Sequence, residues 1–316
     1  MEHLLFSVNA TLPIFLVMVV GWCLRRGKLV DGSFVDKLNS INYKITLPVL
    51  LFTDMAGADF FAVWDTKFVL FCFFATLLSF LLVWGLGWFL LRGKPLLGEL
   101  VQGCYRSSAA VLGIALIQNI YGSATIAPLM ILGSVPLYNV LAVCVLTFTD
   151  PENAGKPDLK RIGKAARGVL TNPLIIAIFL GFAASLLRLD LPKAADKTLG
   201  YFAQIATPLA LLGLGAGFEG RKALSGWKLT LTASAIKLVG LGLIFVPIAL
   251  AMGFRSEQLV GLFVMLCAPT TVSCYVMARN LNHEGVLTSS IVVATTLLSS
   301  VTLTGWIWLL RSFGYL

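Results

Sequence analysis

Ten apolar stretches, each about the length of one membrane crossing, dominate the sequence and leave few possible folds. They run approximately over residues 4–24, 34–53, 67–91, 96–118, 123–147, 169–187, 198–218, 226–252, 258–278 and 286–310. A transmembrane helix needs about 20 apolar residues. The chain is 58% hydrophobic and 12% charged. The core of a water-soluble domain could not bury all of these apolar side chains, so lipid must cover many of them. We therefore predict an all-α membrane protein with ten transmembrane helices in a lipid bilayer.

Lysine and arginine are distributed unevenly among the loops between these spans. Loops on one side carry Arg25, Arg26, Lys28, Lys37, Arg92, Lys94, Lys156, Lys160, Arg161, Lys164, Arg167, Arg221, Lys222, Lys228 and Arg279. The other side has only Lys67, Arg188, Lys193, Lys197, Arg255 and Arg311. Basic loops stay cytoplasmic, so we predict a multi-pass protein of the cell (inner or plasma) membrane with both termini outside. The net charge of +9 then faces anionic lipid, and no nucleic-acid partner is expected.

The three remaining basic residues, Lys44, Arg106 and Lys237, fall inside predicted spans. A charge at the centre of a membrane helix costs roughly 2.5 to 3.5 kcal/mol on insertion scales. Lys44 could reach the headgroups by extending its side chain, or it could be buried. Lys237 is farther from both ends of its span, which favours a buried cation with a structural or functional role.

Acidic residues show the opposite distribution, because all of them fall in loops or at span ends, with Glu99 the nearest to entering a helix. The sequence therefore predicts no carboxylate at membrane depth. Cation pumps and proton relays commonly use such carboxylates. Buried cations without acidic partners favour an anionic substrate instead.

An internal repeat with an offset of 160 residues relates the two halves. "LPIFLVMVVGWCL" at 12 matches "NPLIIAIFLGFAA" at 172, and "DKLNSINYKITLPVLLF" at 36 matches "DKTLGYFAQIATPLALL" at 196. Five spans per repeat is an odd number, so the copies would insert with opposite orientations, as in secondary transporters. We predict a first five-helix repeat over 1–148, a cytoplasmic linker over 149–167 and a second repeat over 168–316.

The same register places "GCYRSSAAVLG" at 103 over "LFVMLCAPTTV" at 262, in spans 4 and 9. Pro269 removes a backbone donor, and the neighbouring hydroxyls can satisfy groups released by a break. An ordinary proline kink would explain the second segment alone. The repeat, together with Arg106 beside Ser107 and Ser108, favours two broken helices that cross and expose backbone dipoles to an anion.

The sequence resembles the auxin efflux carrier family, specifically its short prokaryotic branch of inverted-repeat transporters. The resemblance lies in "LPVLLF" at 47, "RSSAAVLGIAL" at 106, "YGSATIAPLMILGSVPLYNVL" at 121, "APTTVSCYVMARN" at 268 and "TTLLSSVTLTGWIWLL" at 295. It implies a carrier of small organic carboxylate anions with scaffold helices 1, 2, 6 and 7 and transport helices 3–5 and 8–10. It also implies a homodimer formed through the scaffold.

The resemblance also implies where the substrate binds. By position, the contacts fall on Ser108 in the first crossing helix, on Pro269, Thr270 and Thr271 in the second, and on Asn139 in span 5. The full predicted set is Arg106, Ser107, Ser108, Gly113, Asn139, Lys237, Pro269, Thr270, Thr271 and Ser273. The plant pattern has prolines where this chain has Ser107 and Ala115, so the first break would depend on Ser107, Gly113 and tertiary contacts.

The predicted function is secondary transport of the anion by elevator-like alternating access, in which the hydroxyls and amides at the crossing replace water around the carboxylate. Arg106 and Lys237 could supply positive potential, or each could instead bind exposed helix carbonyls. A channel or an anion sensor could be built from the same repeats. An enzyme is not expected, because no nucleophile–base pair is visible at membrane depth, and neither cofactor nor metal is predicted.

Overall fold

A computed structural model describes residues 2–57, 64–91, 96–109, 113–122, 124–150, 167–168 and 170–316, without the side chains of residues 2–11, 115, 221, 224 and 225. Most of the predicted linker over 149–167 lies outside the described residues. So do Arg92 and Lys94 of the predicted basic rim. Within the described part, the chain is α-helical, with π-helical turns that include Asn42–Thr46 and Ile236–Gly240, and has no strand, which confirms the all-α prediction.

Helices of the first half are α1 (Glu2–Arg26), α2 (Gly32–Ile41), α3 (Leu47–Ala56), α4 (Thr66–Leu91), α5 (Leu96–Tyr105), α6 (Ile114–Tyr121) and α7 (Ala127–Phe148). Those of the second half are α8 (Pro173–Leu186), α9 (Lys193–Ala216), α10 (Gly220–Ser225), α11 (Trp227–Ala235), α12 (Leu241–Ala251), α13 (Ser256–Cys267), α14 (Ser273–Asn280) and α15 (Val286–Ser312). One π-helical turn, Asn42–Thr46, joins α2 to α3, and another, Ile236–Gly240, joins α11 to α12.

Five helical segments in the described part are long and apolar enough to cross a membrane. They are Thr66–Leu91, Ala127–Phe148, Lys193–Ala216, Trp227–Ala251 and Val286–Ser312. Helices α8 and α13 are apolar but shorter. Large side chains such as Phe89 and Val301 are 73% and 66% exposed, and such broad apolar surfaces suit lipid rather than water. These helices are consistent with the predicted membrane protein.

Helices α1, α3, α8 and α9 form one packed group, which we call the outer group. A Cβ atom on Gly21 of α1 would lie 2.3 Å from the Leu212 carbonyl oxygen of α9, and one on Gly181 of α8 would lie 2.5 Å from the Phe52 carbonyl oxygen of α3. Small residues at these points let helix backbones approach closely. Helix α3 also packs against α9, so the four helices form a continuous unit.

The remaining long helices pack around α5 and α13. Helix α4 contacts α5 and α7, α13 contacts α12, and α15 contacts α5 and α11. Their shared core is tightly filled, since Phe68, Leu100, Phe263 and Met265 are at most 1% exposed. We call these helices, α4–α7 and α11–α15, the inner group. Most of the polar residues predicted to bind substrate lie where the inner group meets the outer group.

Candidate functional site

Two helix interruptions face each other in the inner group. Helix α5 ends at Tyr105 and residues 106–108, the first break, have no helical conformation. Helix α13 ends at Cys267 and residues 268–272, the second break, precede α14. The backbone N–H of Ser108 donates to the Pro269 carbonyl oxygen at 2.9 Å. The two breaks therefore touch directly through their backbones.

Local chemistry explains why the second break forms where it does. Ala268 is extended, with φ −69° and ψ 158°, the conformation favoured by a residue that precedes proline. Beyond Pro269, the Thr270 N–H receives no helical partner and donates instead to Thr295 Oγ1 of α15 at 3.1 Å. The Thr270 hydroxyl donates to the Gly103 carbonyl oxygen at 2.6 Å. Hydroxyls thus satisfy the polar groups that the proline releases.

The end of α13 is held by three side chains from other elements. Ser107 Oγ and the Tyr138 hydroxyl both donate to the Met265 carbonyl oxygen, the latter at 2.8 Å. Lys237, fully buried in the second π-helical turn, donates to the Leu266 carbonyl oxygen at 2.7 Å and also to Ser107 Oγ. Lys237 therefore lies behind the break and neutralises the exposed carbonyls of a helix C-terminus, where cations are favoured.

Arg106 occupies a different position, in the first break. Its guanidinium donates to Asn139 Oδ1 at 3.0 Å, to Ser273 Oγ at 2.9 Å and to Met277 Sδ at 2.8 Å. It is only 2% exposed, and its Nε has no hydrogen-bond partner. The ion pairs among the described residues do not include Arg106. A buried, hydrogen-bonded guanidinium with no carboxylate partner is a strong attractor for an anion.

A cavity of about 130 Å³ opens beside Arg106, roughly ten times the ~10–15 Å³ that one water molecule requires. Its polar wall contains Arg106, Ser107, Ser108, Asn139, Pro269, Thr270, Thr271 and Ser273 from the inner group. Its opposite wall comes from all four outer helices, through Ile14, Leu47, Leu50, Leu51, Asp54, Leu174, Thr207 and Ala210. The cavity size and the single buried guanidinium suit a small organic anion.

The structure brings eight of the ten predicted site residues to this cavity, and places Gly113 and Lys237 elsewhere. Gly113 is a buried residue at the start of α6, where a Cβ atom would meet Met130 and Val264 rather than the cavity. Lys237 lies behind Ser107. Their surroundings indicate helix packing for Gly113 and, of the two roles that the sequence left open for Lys237, support of α13. Lys44 is exposed and does not line the cavity.

Several lining residues were not predicted from the sequence. Tyr138, Thr207 and Thr296 add polar groups, and Asp54 adds a carboxylate. The sequence placed Asp54 at the end of span 2, but α3 continues to Ala56 and brings this carboxylate into the cavity lining. The sequence did contain a signal for Asp54. Leu47, Leu50, Leu51 and Asp54 have helical spacing, which places the carboxylate on the same helix face as the three leucines.

Glu99 is a second carboxylate that is more deeply buried than the sequence predicted, since all acidic residues were expected in loops or at span ends. It is 2% exposed. Its Oε1 accepts from the Gly285 N–H at 3.0 Å, and its Oε2 accepts from the Thr288 N–H at 2.9 Å and the Thr288 hydroxyl at 3.0 Å. These donors lie at the N-terminus of α15, where a negative charge is favoured. Glu99 is thus a helix cap and is not among the residues that line the cavity.

Comparison with known proteins agrees with the class that the fold and the cavity define. A family model described as "Membrane transport protein" matches residues 6–307. The chain therefore belongs to this family, the auxin efflux carrier type, and the predicted recognition is confirmed. It is a transport protein and not an enzyme.

One curated relative gives a more specific comparison. The chain is 26% identical over 313 residues to a protein of Rhizobium meliloti (strain 1021) named "Putative malonate transporter". The alignment covers 95% of this chain and 95% of the relative. The similarity thus extends through nearly the whole chain, including both breaks.

Proposed function

We propose that the protein is a secondary carrier for a small carboxylate anion of the malonate type. The observation that carries this proposal is Arg106, a buried guanidinium without an acidic partner that lines a cavity of about 130 Å³. The hydroxyls of Ser108, Thr271 and Ser273 lie in the same wall and can replace water around a carboxylate. The name of the relative provides independent support for this substrate class.

The chain would form ten membrane crossings as two inverted five-helix repeats. Two helix contacts support this arrangement, because Gly21 lies against Leu212 and Gly181 lies against Phe52. Adding 160 to residue 21 gives 181, and subtracting 160 from residue 212 gives 52. One contact is thus the repeat image of the other, as a pseudo-twofold relation between antiparallel units requires.

Transport would occur by elevator-like alternating access, with the outer group as scaffold and the inner group as the moving transport domain. The position of the cavity supports this division, since one wall comes from each group. The inner wall carries Arg106 and both breaks, so the anion would travel with them past the apolar surface of Leu50 and Leu51. The scaffold would also form the homodimer, and both termini would face outside the cell membrane.

Counterflow in proteoliposomes tests the proposal. Entry of labelled malonate should be accelerated by unlabelled malonate trapped inside, because a carrier returns faster when loaded. Electrical conductance far above carrier turnover would instead indicate a channel. Saturable binding without flux would indicate a sensor.

Malonate binding to the purified protein tests the role of Arg106. Arg106→Gln should weaken malonate binding roughly tenfold to a hundredfold, because a hydrogen bond to a charged group contributes about 1.5–3 kcal/mol. Lys44→Gln is the matched control, since Lys44 is an exposed lysine outside the cavity lining, and it should bind as the wild type does. Wild-type affinity in Arg106→Gln would contradict the assignment.

A further inference from the structure

Asp54 is the carboxylate that faces this anion cavity, and its position conflicts with simple anion binding. It lies in the last turn of α3, where Leu47, Leu50, Leu51 and Asp54 all line the cavity. Those positions are one helical face, so the carboxylate takes a place in an otherwise apolar stripe. Under the 160-residue offset its counterpart is Leu214, a fully buried residue. The carboxylate is therefore not a requirement of the repeat.

No partner within the described residues neutralises Asp54. It makes neither a hydrogen bond nor an ion pair there, although Asp36 pairs with Arg279 and Glu219 pairs with Lys222. Across the cavity, the ionisable groups are Arg106 and Tyr138. Arg106 is instead hydrogen-bonded to Asn139, Ser273 and Met277.

The helices packed against α3 offer no compensating charge either. Helix α8 contains no ionisable residue. Helix α9 contributes Thr207 and Ala210 to the cavity, and its ionisable residues Lys193, Asp196, Lys197 and Tyr201 are exposed. In the adjoining π-helical turn, Lys44 is exposed and the Tyr43 hydroxyl accepts from Asn172. Asp54 is thus a carboxylate in the cavity lining to which these described neighbouring elements supply no compensating charge.

We propose that Asp54 is a proton-binding site linked to the anion site, so that the cavity binds a carboxylate anion together with one proton. An ionised Asp54 would repel a second carboxylate in the same poorly hydrated cavity. Protonation forms the O–H bond of a neutral carboxyl group, which removes this repulsion and adds a hydrogen-bond donor. Anion binding and proton binding then favour each other reciprocally.

This inference rests on the proposed function, and its sign follows from linkage. If the bound state holds one proton more than the free state, the malonate dissociation constant falls as pH falls. The slope reaches about tenfold per pH unit in the range where Asp54 is ionised without ligand and protonated with it. When Asp54 is already protonated without ligand, at lower pH, its contribution to the slope disappears.

Malonate binding to the purified full-length protein, measured by calorimetry in buffers of different ionisation enthalpy, tests the proposal. We expect the wild type to take up close to one proton on binding. Asp54→Asn should bind malonate with the affinity that the wild type reaches in acid, without this proton uptake and with a flat pH dependence. Asp190→Asn, which removes an exposed carboxylate, is the control and should behave as the wild type does.

The outcomes separate this inference from the proposed function. Malonate binding with equal proton uptake in the wild type and Asp54→Asn would overturn the role of Asp54 and place the proton on the substrate. Binding without proton uptake in the wild type would also overturn it. Failure of every protein to bind malonate would reject the proposed function itself, and this inference with it. If Asp54→Asn does not fold, Asp54→Glu provides the second test, because it must keep the proton uptake and shift its pH range.

Discussion

Arg106 and Lys237 are both buried cations, yet their surroundings give them different tasks. Lys237 has its ammonium directed at Ser107 and at the Leu266 carbonyl oxygen, so its charge is used within the protein. Arg106 has an unpaired Nε and lines the cavity, so part of its donor capacity is left for a ligand. A sequence shows both as charges inside apolar spans and cannot say which one faces the cavity.

Glu99 provides a residue-scale prediction about stability. Glu99→Gln should lower the free energy of unfolding by about 1–3 kcal/mol, because an amide nitrogen would face donors of Gly285 or Thr288 and leave one buried donor unpaired. The measurement is the thermal unfolding midpoint in detergent. Glu284→Gln, at an exposed carboxylate, is the control and should leave the midpoint unchanged. A midpoint for Glu99→Gln equal to that of the control would show that the cap contributes little.

At the scale of elements, the two breaks form by different means. The second break contains Pro269, and its position could be predicted because proline cannot continue the hydrogen-bond ladder of α13. The first break contains no proline among its described residues. It is held by tertiary hydrogen bonds, from Ser108 to Pro269 and from Ser107 to Met265. The register of the internal repeat and the polar run from Arg106 to Ser108 pointed to it, but local sequence preferences carry no information about these distant partners.

Close helix packing gives an element-scale prediction. Gly21→Ala should destabilise the protein by about 1–3 kcal/mol, because the new methyl would lie 2.3 Å from the Leu212 carbonyl oxygen and force α1 away from α9. Gly85→Ala is the matched control within a helix, as no atom lies within 4 Å of a Cβ there. We expect the control to be neutral or slightly stabilised, since alanine favours helix more than glycine does. Equal unfolding midpoints for the two variants would contradict the close contact.

At the scale of the whole molecule, hydropathy predicted the helical membrane protein well because lipid imposes a simple requirement. Every span must be apolar and must satisfy its own backbone. Eight of the ten predicted site residues line one cavity, because the two breaks concentrate polar groups in an apolar sequence. Asp54 was missed because hydropathy marks the end of a span poorly. The sequence left two roles open for Lys237, contact with substrate or with helix carbonyls, because the direction of its side chain depends on a π-helical turn that hydropathy does not reveal.

The proposed elevator motion makes a prediction that concerns the two helix groups together. Leu51 of α3 and Val272 of the second break line opposite walls of the cavity, so a short cross-link between cysteines at these positions should prevent relative movement. In a background with the six native cysteines replaced, we expect a reducible bifunctional reagent to abolish malonate counterflow in Leu51→Cys/Val272→Cys. Reduction should restore it.

A second pair provides the control for this cross-link. Leu51→Cys/Leu174→Cys joins two residues of the outer group that line the same cavity, and its cross-link should leave most counterflow intact. Both pairs add similar bulk to the cavity, so a difference between them reports on movement rather than on blockage. Full counterflow through the cross-linked Leu51→Cys/Val272→Cys protein would rule out displacement of the inner group past α3, because the covalent link would hold those two walls together during every turnover.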